Sequence, residues 1–263
     1  MDYGAEAMIP LDYLVLRLGR RIIPPTLMHK ILQTGVGPTS GLESRDPSTA
    51  ADLYEEAVSQ LDFDWHGHRV MIFGYGGNPE LGIELLGRGA KEIVLLDPYA
   101  RPQAGSYERP EDSKALYFEP RHLSEYVQAG EGVDLVLSWS VLEHVLDPSA
   151  TVRNLAAVCR PSGAQVHFVD LRDHVFRYPF EMLCHSERAW NRYLDPPSHL
   201  NRIRGWEVGK YFRENFERVT VENWETDSKA FRKALPRIRS EFLSGDEVVD
   251  AATRLRVLAA KPL

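Results

Sequence analysis

The chain has only two cysteines in 263 residues, isolated at Cys159 and Cys184. That excludes a disulfide framework and zinc-type spacing, and it fits a reduced, cytoplasmic setting. No apolar run approaches the roughly 18 residues of a membrane span. The N-terminus lacks a basic stretch followed by an apolar one, so no signal peptide is expected. Positive charge is not in excess: the formal net charge is −7, which argues against general affinity for nucleic acid. No Gly-x-Ser-x-Gly pattern, phosphate-loop pattern, internal repeat or low-complexity tract is present. No His, Asp and Glu cluster has metal spacing, and Trp65-His66-Gly67-His68 reads as a loop, so no metal site is expected.

What is present is an ordinary globular composition, 43% hydrophobic and 26% charged, in a length that suits one elaborated domain. Its most informative stretch is 69–97, R-V-M-I-F-G-Y-G-G-N-P-E-L-G-I-E-L-L-G-R-G-A-K-E-I-V-L-L-D. Residues 70–73 suit a buried parallel strand. Gly74, Gly76 and Gly77 permit a tight turn and close backbone approach to a ligand. Asn78 is a good helix N-cap and Pro79 a favoured first helical residue. Unpaired N–H groups there would face an anionic or polar ligand. Gly87 and Gly89 can stop the helix, and 93–96 forms a second strand. Asp97, at its carboxyl end, can accept hydrogen bonds from both hydroxyls of a ribose. The unit reads as the opening of a nucleotide-binding α/β fold; a structural turn with an incidental surface Asp97 is the plainer alternative.

The rest of the chain organises around this unit. Residues 1–64 read as an N-terminal helical extension or lid. Within them, 11–32 mixes apolar and basic residues (Arg17, Arg20, Arg21, Lys30) at helical spacing, broken by Pro24-Pro25. Such a face suits a membrane surface or a partner, but a docking helix on the main domain is the preferred reading. Residues 35–47 form a connector and 48–61 an amphipathic helix. A polar, turn-rich stretch covers 98–112. Strands are expected at 115–118, 133–137 and 165–169, with helices at 122–129 and, behind the Asp147-Pro148 cap, to about 159. Alternation breaks over 171–207, read as a cap inserted after the fifth strand. Helix returns at 208–216 and 228–242, strand at 219–221 and 254–260.

Three motifs now resemble class I S-adenosylmethionine-dependent methyltransferases over about 65–263. They are F-G-Y-G-G-N with Asp97; D-L-V-L-S-W-S-V-L-E-H-V at 134–145, like the family's fourth strand and following loop; and R-P-S-G at 160–163, like its turn before the fifth strand. The run V-D-L-R-D-H at 169–174 and the later N-R-I-R resemble an uncharacterised bacterial subgroup, some of it associated with glycan or natural-product pathways. The resemblance implies an α/β, Rossmann-like, doubly wound seven-stranded sheet whose last strand is antiparallel and inserted beside the strand before it. It also implies S-adenosyl-L-methionine as cofactor. Two positions depart from the family pattern: Ile72 stands where an acid is frequent, and Asn78 where a third glycine falls.

On that resemblance, Gly74, Tyr75, Gly76 and Gly77 cradle the methionine portion, Asp97 holds the ribose, Glu119 approaches the adenine, and Ser138 and Trp139 contact cofactor or substrate. His144 is the first choice of general base, since a histidine titrates near neutral pH; packing or capping of the following helix is its plainer role. Asp173 and His174 follow the fifth strand at the same edge, either as a second acid–base pair or as a structural turn. Tyr54 closes over the cofactor or helps the base on the substrate side, or else is a core aromatic. Arg172, Arg177 and the other cap arginines either gather on an anionic acceptor or make solvated ion pairs. The expected reaction is methyl transfer to an oxygen or nitrogen of a small molecule, such as a sugar, glycan precursor or natural-product intermediate. A nicotinamide-dependent oxidoreductase and a degenerate fold that binds a partner are the alternatives. Oligomeric state stays open, because the N-terminal extension can dock on its own domain or on a second subunit.

Overall fold

Strands buried on both faces show as unbroken apolar runs, and three such runs build the centre of this molecule. They are β1 (Arg69–Phe73), β2 (Glu92–Leu96) and β4 (Val133–Trp139). In the computed structural model, which describes residues 10–22, 46–100, 115–175, 177–196 and 198–263, they join β3 (Leu116–Glu119), β5 (Cys159–Asp170), β6 (Phe216–Thr226) and β7 (Ala252–Pro262) in one seven-stranded sheet. The order is β3-β2-β1-β4-β5-β7-β6. The first five strands are parallel, and β7 enters antiparallel between β5 and β6. This is the Rossmann-like sheet that the resemblance implied.

Successive side chains of a strand face opposite ways, so each central strand feeds two cores. Val70 and Ile72 pack with Leu95, Leu137 and Phe168 under α2 (Pro47–Ser59) and α3 (Glu80–Gly87). Met71 and Phe73 pack with Leu96, Val136 and Val257 under α4 (Leu123–Gln128), α5 (Pro148–Val158) and α6 (Gly205–Arg213). The Asp147 cap forms as expected, its carboxylate accepting from the Ala150 N–H at 2.9 Å. At α3 the boundary differs: the helix opens at Glu80 behind Pro79, and the Asn78 side chain accepts from the Glu80 N–H at 2.9 Å.

A third apolar cluster lies over the sheet. Phe180, Met182, Leu183, Trp190, Leu194 and Leu200 come from the expected cap; Phe231, Ala234 and Ile238 come from α7 (Ser228–Ala234) and the turn after it. The helix expected over 228–242 is therefore shorter, because Pro236 has no N–H to continue it, and Leu235–Arg237 tightens into a 3₁₀ turn. The first helix, α1 (Leu11–Ile22), lays Leu14 against the same cluster. It faces the protein with polar groups: Tyr13 and Arg17 are buried, while Leu11, Val15, Leu16 and Leu18 are exposed. Arg17 is thus a core residue rather than part of a basic surface. Among the described residues no helix is long and apolar enough to cross a membrane. Lys30, most of the 35–47 connector and most of the 98–112 stretch lie outside the described residues.

Candidate functional site

In an open parallel sheet, ligands bind beyond the carboxyl ends of the strands, where the strand order reverses. Here that point lies between β1 and β4, and the residues beyond it form one connected rim. Gly74, Gly76 and Gly77 all have positive φ, at 74°, 65° and 90°. A Cβ on Gly74 would stand 2.4 Å from Val141 Cγ2, so the glycine turn and the loop after β4 touch through the missing side chain. On the other side, the Gly76 N–H donates to Asp97 Oδ2 at 3.2 Å. Asp97 Oδ1 accepts from the Tyr99 and Ala100 N–H groups at 2.9 and 3.0 Å. Tyr75 is buried and donates its hydroxyl to Ala100 O at 3.2 Å. The glycine turn, the acid at the end of β2 and the loop after β4 are therefore brought together.

Several other candidates are committed elsewhere. Glu119 sits beside Leu96 in register, but its carboxylate takes the Arg121 fork, Nε at 2.8 Å and Nη2 at 2.6 Å, and that guanidinium holds it below the usual carboxylate range. Ser138 does not offer its hydroxyl to the strand-end cleft. It is buried on the α5–α6 face and lies 2.7 Å from His167 Nδ1. Trp139 points to the opposite face and packs against Phe168, Trp224 and Tyr54. Tyr54 is a core aromatic: it is 1% exposed, and burial pushes its hydroxyl far up. Its expected place over a ligand is taken by packing against Trp139 and Phe168.

Asp173 does not turn to its neighbour His174. Its buried carboxylate accepts from the Tyr13 hydroxyl at 2.7 Å and the Val175 N–H at 2.8 Å, and it pairs with Arg17. The arginines of the cap do not converge on an anion site either. Arg172 forks onto Asp170, and Arg177 is exposed beside Asp12. Arg202 and Arg204 are buried and donate to main-chain carbonyls, Arg204 to Leu171, Asp250 and Ala252. Arg204 thus ties the end of the cap to the start of β7, and Arg202 ties the cap to itself.

The loop after β4 carries two titratable groups, Glu143 and His144. His144 Nδ1 lies 2.6 Å from His199 O and 3.0 Å from Ser198 O. A carbonyl only accepts, so Nδ1 carries the proton and Nε2 presents its lone pair. Burial holds the imidazole below its ordinary value, which keeps it neutral. Asn201 clamps the same loop: its Nδ2 donates to Leu142 O at 2.7 Å and Val145 O at 3.0 Å, and its N–H to Glu143 O at 2.9 Å. Residues 198–201 of the cap thus set the position of His144. The sequence shows Glu143 and Asn201 only as members of the family-like 134–145 loop and the N-R-I-R run, without a role for either side chain. Glu143 is 3% exposed and neither carboxyl oxygen has a well-formed hydrogen bond. Burial, and next the Asp170 carboxylate, push it well above the usual range. His174 completes the group: its ring lies 5.0 Å from that of His144, edge to face. Glu143, His144 and His174 offer donor atoms all within 4.8 Å of one another, a grouping that sequence spacing did not show.

The family profile described as "Methyltransferase domain" matches residues 45–219. A ubiquinone biosynthesis O-methyltransferase of Ruegeria pomeroyi is 32% identical over 108 residues, 38% of this chain and 40% of the relative. One from Rhodopseudomonas palustris is 25% identical over 149 residues, 52% of this chain and 58% of the relative. The chain therefore spans about two fifths to three fifths of the length of these curated relatives. Among solved structures, an S-adenosylmethionine-dependent methyltransferase from Mesorhizobium loti aligns at a TM-score of 0.49 and 16% identity, covering 78% of this chain and 96% of that one.

Proposed function

Since this chain belongs to the methyltransferase-domain family, we propose that it transfers a methyl group from S-adenosyl-L-methionine to an oxygen or nitrogen of a small molecule. Oxygen is favoured because the curated relatives are named O-methyltransferases. The observation that carries the reading is the continuous rim from Asp97 through Gly76 and Gly74 to Val141 and His144. A carboxylate, a side-chain-free turn and an imidazole along one edge of the sheet support this reading.

The residues fit the cofactor. Gly74 leaves backbone exposed where any side chain would collide with Val141, and Asp97 retains acceptor capacity beyond its three N–H donors. When bound, S-adenosyl-L-methionine supplies an electrophilic methyl on a sulfonium centre. The chain's own work is alignment and activation. The glycine turn holds the methionine portion and Asp97 the ribose. His144 faces the acceptor, its ring fixed by the carbonyls of 198 and 199, and the Nε2 lone pair is the atom through which the acceptor is activated. Among the described residues Arg172 and Arg177 are paired with acids and Arg202 and Arg204 with main-chain carbonyls, which favours a neutral hydroxylated acceptor over a phosphorylated one.

Calorimetric titration with S-adenosylmethionine and S-adenosylhomocysteine, with NADH as the control, tests the reading. Micromolar binding of either sulfur nucleotide is expected. Binding of NADH alone would move the chain to the oxidoreductases, and binding of none of the three would reject a nucleotide-dependent enzyme.

A further inference from the structure

The least explained group in the molecule is the Glu143 carboxyl. Buried polar groups almost always have partners, and one that lacks them calls for a reason. Both Glu143 oxygens are buried without a well-formed hydrogen bond, and the Ser140 hydroxyl and the main chain of Glu143 and Asp170 favour its charged form only in part, against burial. Protonation alone does not resolve this, because a carboxylic acid O–H still needs an acceptor. Ionisation makes matters worse, since Asp170 already places negative charge nearby. Arg172 lends its charge to Glu143 only through space, since its fork is seated on Asp170. What would satisfy the site is a positive charge seated directly on the carboxylate.

The neighbours of Glu143 are suited to hold one. His144 is fixed through Nδ1–H to two main-chain carbonyls, which is how metal-ligating histidines are oriented and their lone pair directed. His174 stands beside it, and the three donor atoms lie within 4.8 Å of one another. Bonds of about 2.1 Å would set donors about 3–3.5 Å apart, so closure needs a shift of roughly 1–1.5 Å, within reach of side-chain rotation.

We infer that Glu143, His144 and His174 form a binding site for one divalent transition-metal ion, at the place where the acceptor of the proposed reaction enters. Two imidazoles and one carboxylate suit zinc, iron(II) or cobalt(II) and are less suited to magnesium, which prefers oxygen donors. Three protein ligands leave coordination positions open. On the methyl-transfer reading, an acceptor hydroxyl takes one of them. The metal lowers the hydroxyl's pKa, its O–H bond breaks, the proton passes to water, and the oxygen keeps the electron pair needed for attack. His144 Nε2 then activates the acceptor through the ion rather than by taking the proton itself. The inference selects hydroxylated acceptors over amines.

The test uses the full chain, stripped with a chelator and titrated with cobalt(II) chloride. One cobalt per chain is expected, with visible ligand-field absorption that zinc displaces. Glu143→Gln and His174→Ala should each weaken cobalt binding at least tenfold. His68→Ala, in the loop before β1, should leave it unchanged. Each variant's S-adenosylhomocysteine affinity is measured alongside, as a check on folding that is independent of the metal. Zinc-edge X-ray absorption on the unmutated protein should count two imidazole ligands, a readout that survives if a variant fails to fold. No stoichiometric cobalt binding, binding indifferent to Glu143 and His174, or fewer than two imidazoles overturns the site. Nucleotide binding without metal binding would sink this inference and leave the methyltransferase reading standing; the reverse result would do the opposite.

Discussion

Gly74 and Val141 are in contact because one of them has no side chain. A Cβ built on Gly74 meets Val141 Cγ2 at 2.4 Å and Cγ1 at 3.0 Å, and the backbone there has a φ of +74°. The turn that would hold a cofactor and the loop that carries Glu143 and His144 therefore share one van der Waals surface.

Gly74→Ala is accordingly expected to cost on the order of 1–3 kcal/mol in stability from the left-handed backbone alone, with the collision added. Loss of S-adenosylhomocysteine affinity should accompany it. Val141→Ala in the same chain removes the two methyl groups and leaves only Val141 Cβ, at 3.3 Å. It should restore part of both losses. Urea unfolding and calorimetry measure them, and a double variant no better than Gly74→Ala would show that the contact is not what the glycine serves.

Asp97→Asn keeps the shape of the side chain and removes its charge. It is expected to weaken nucleotide binding by roughly 1–3 kcal/mol, the scale of leaving a polar partner poorly satisfied. Because Gly76, Tyr99 and Ala100 also donate to Asp97, some loss of order in both loops should follow. Amide exchange of those three residues is the direct readout. Unchanged affinity for S-adenosylhomocysteine would remove Asp97 from the ribose.

His144→Ala should abolish most turnover while leaving nucleotide affinity within about twofold, because the ring touches the cap and not the glycine turn. Single-turnover kinetics with the acceptor in hand, set beside calorimetry of the nucleotide, separates the two effects. Full activity in this variant would clear His144 of any part in the chemistry.

How far these relationships were readable beforehand depended on whether they were local. The strand–turn–helix–strand unit through Asp97 is local, and the chain shows it as apolar runs punctuated by glycine. The Asp147-Pro148 cap and the closing β6–β7 pair were readable for the same reason. The face a strand residue occupies was harder. Ser138 and Trp139 adjoin in sequence, yet the pleat sends one to His167 and the other to Tyr54. Hardest were partners set by the crossing of distant loops. His174 meets His144 only because β5 carries the chain back to the same sheet edge. Arg17 reaches Asp173 across 156 positions, and nothing in the periodicity of either segment announces it.

That last pair holds α1 to the body of the protein. Arg17 and Asp173 are both fully buried, with Tyr13 donating to the same carboxylate and the Trp190 ring 4.8 Å from the guanidinium carbon. Removing one partner strands a buried charge, a loss of about 3–5 kcal/mol. Arg17→Met and Asp173→Asn are each expected to release α1, seen as faster amide exchange over residues 11–22. Arg17→Met combined with Asp173→Leu should recover much of the stability, since the stranded charge is gone. A double variant as unstable as the sum of the singles would show that the pair's value lies in something other than mutual neutralisation.

The buried histidines give the fold a defined acid weakness. His167 is fully buried between Ser138 and Gln165. The Gln165 amide nitrogen donates to Leu155 O, so its oxygen faces His167 Nε2–H, and Nδ1 accepts from the Ser138 hydroxyl. Burial lowers His167 to about 3, and lowers His185 to about 4. In the unfolded chain both take up a proton near pH 6.5. Between that pH and the folded values the unfolded state binds the extra protons, so stability falls as pH falls. Above pH 6.5 the contribution is whole. Below it, each histidine removes about 1.4 kcal/mol per pH unit, His185 down to about pH 4 and His167 down to about pH 3. His167→Gln can keep both hydrogen bonds without titrating. Its unfolding midpoint should therefore fall less steeply between pH 7 and pH 4.5 than that of the unmutated protein, by about 1.4 kcal/mol per unit in the slope of ΔG. Parallel slopes for the two proteins would mean that His167 is already protonated in the folded state, and that Nδ1 donates to the Ser138 hydroxyl instead of accepting from it.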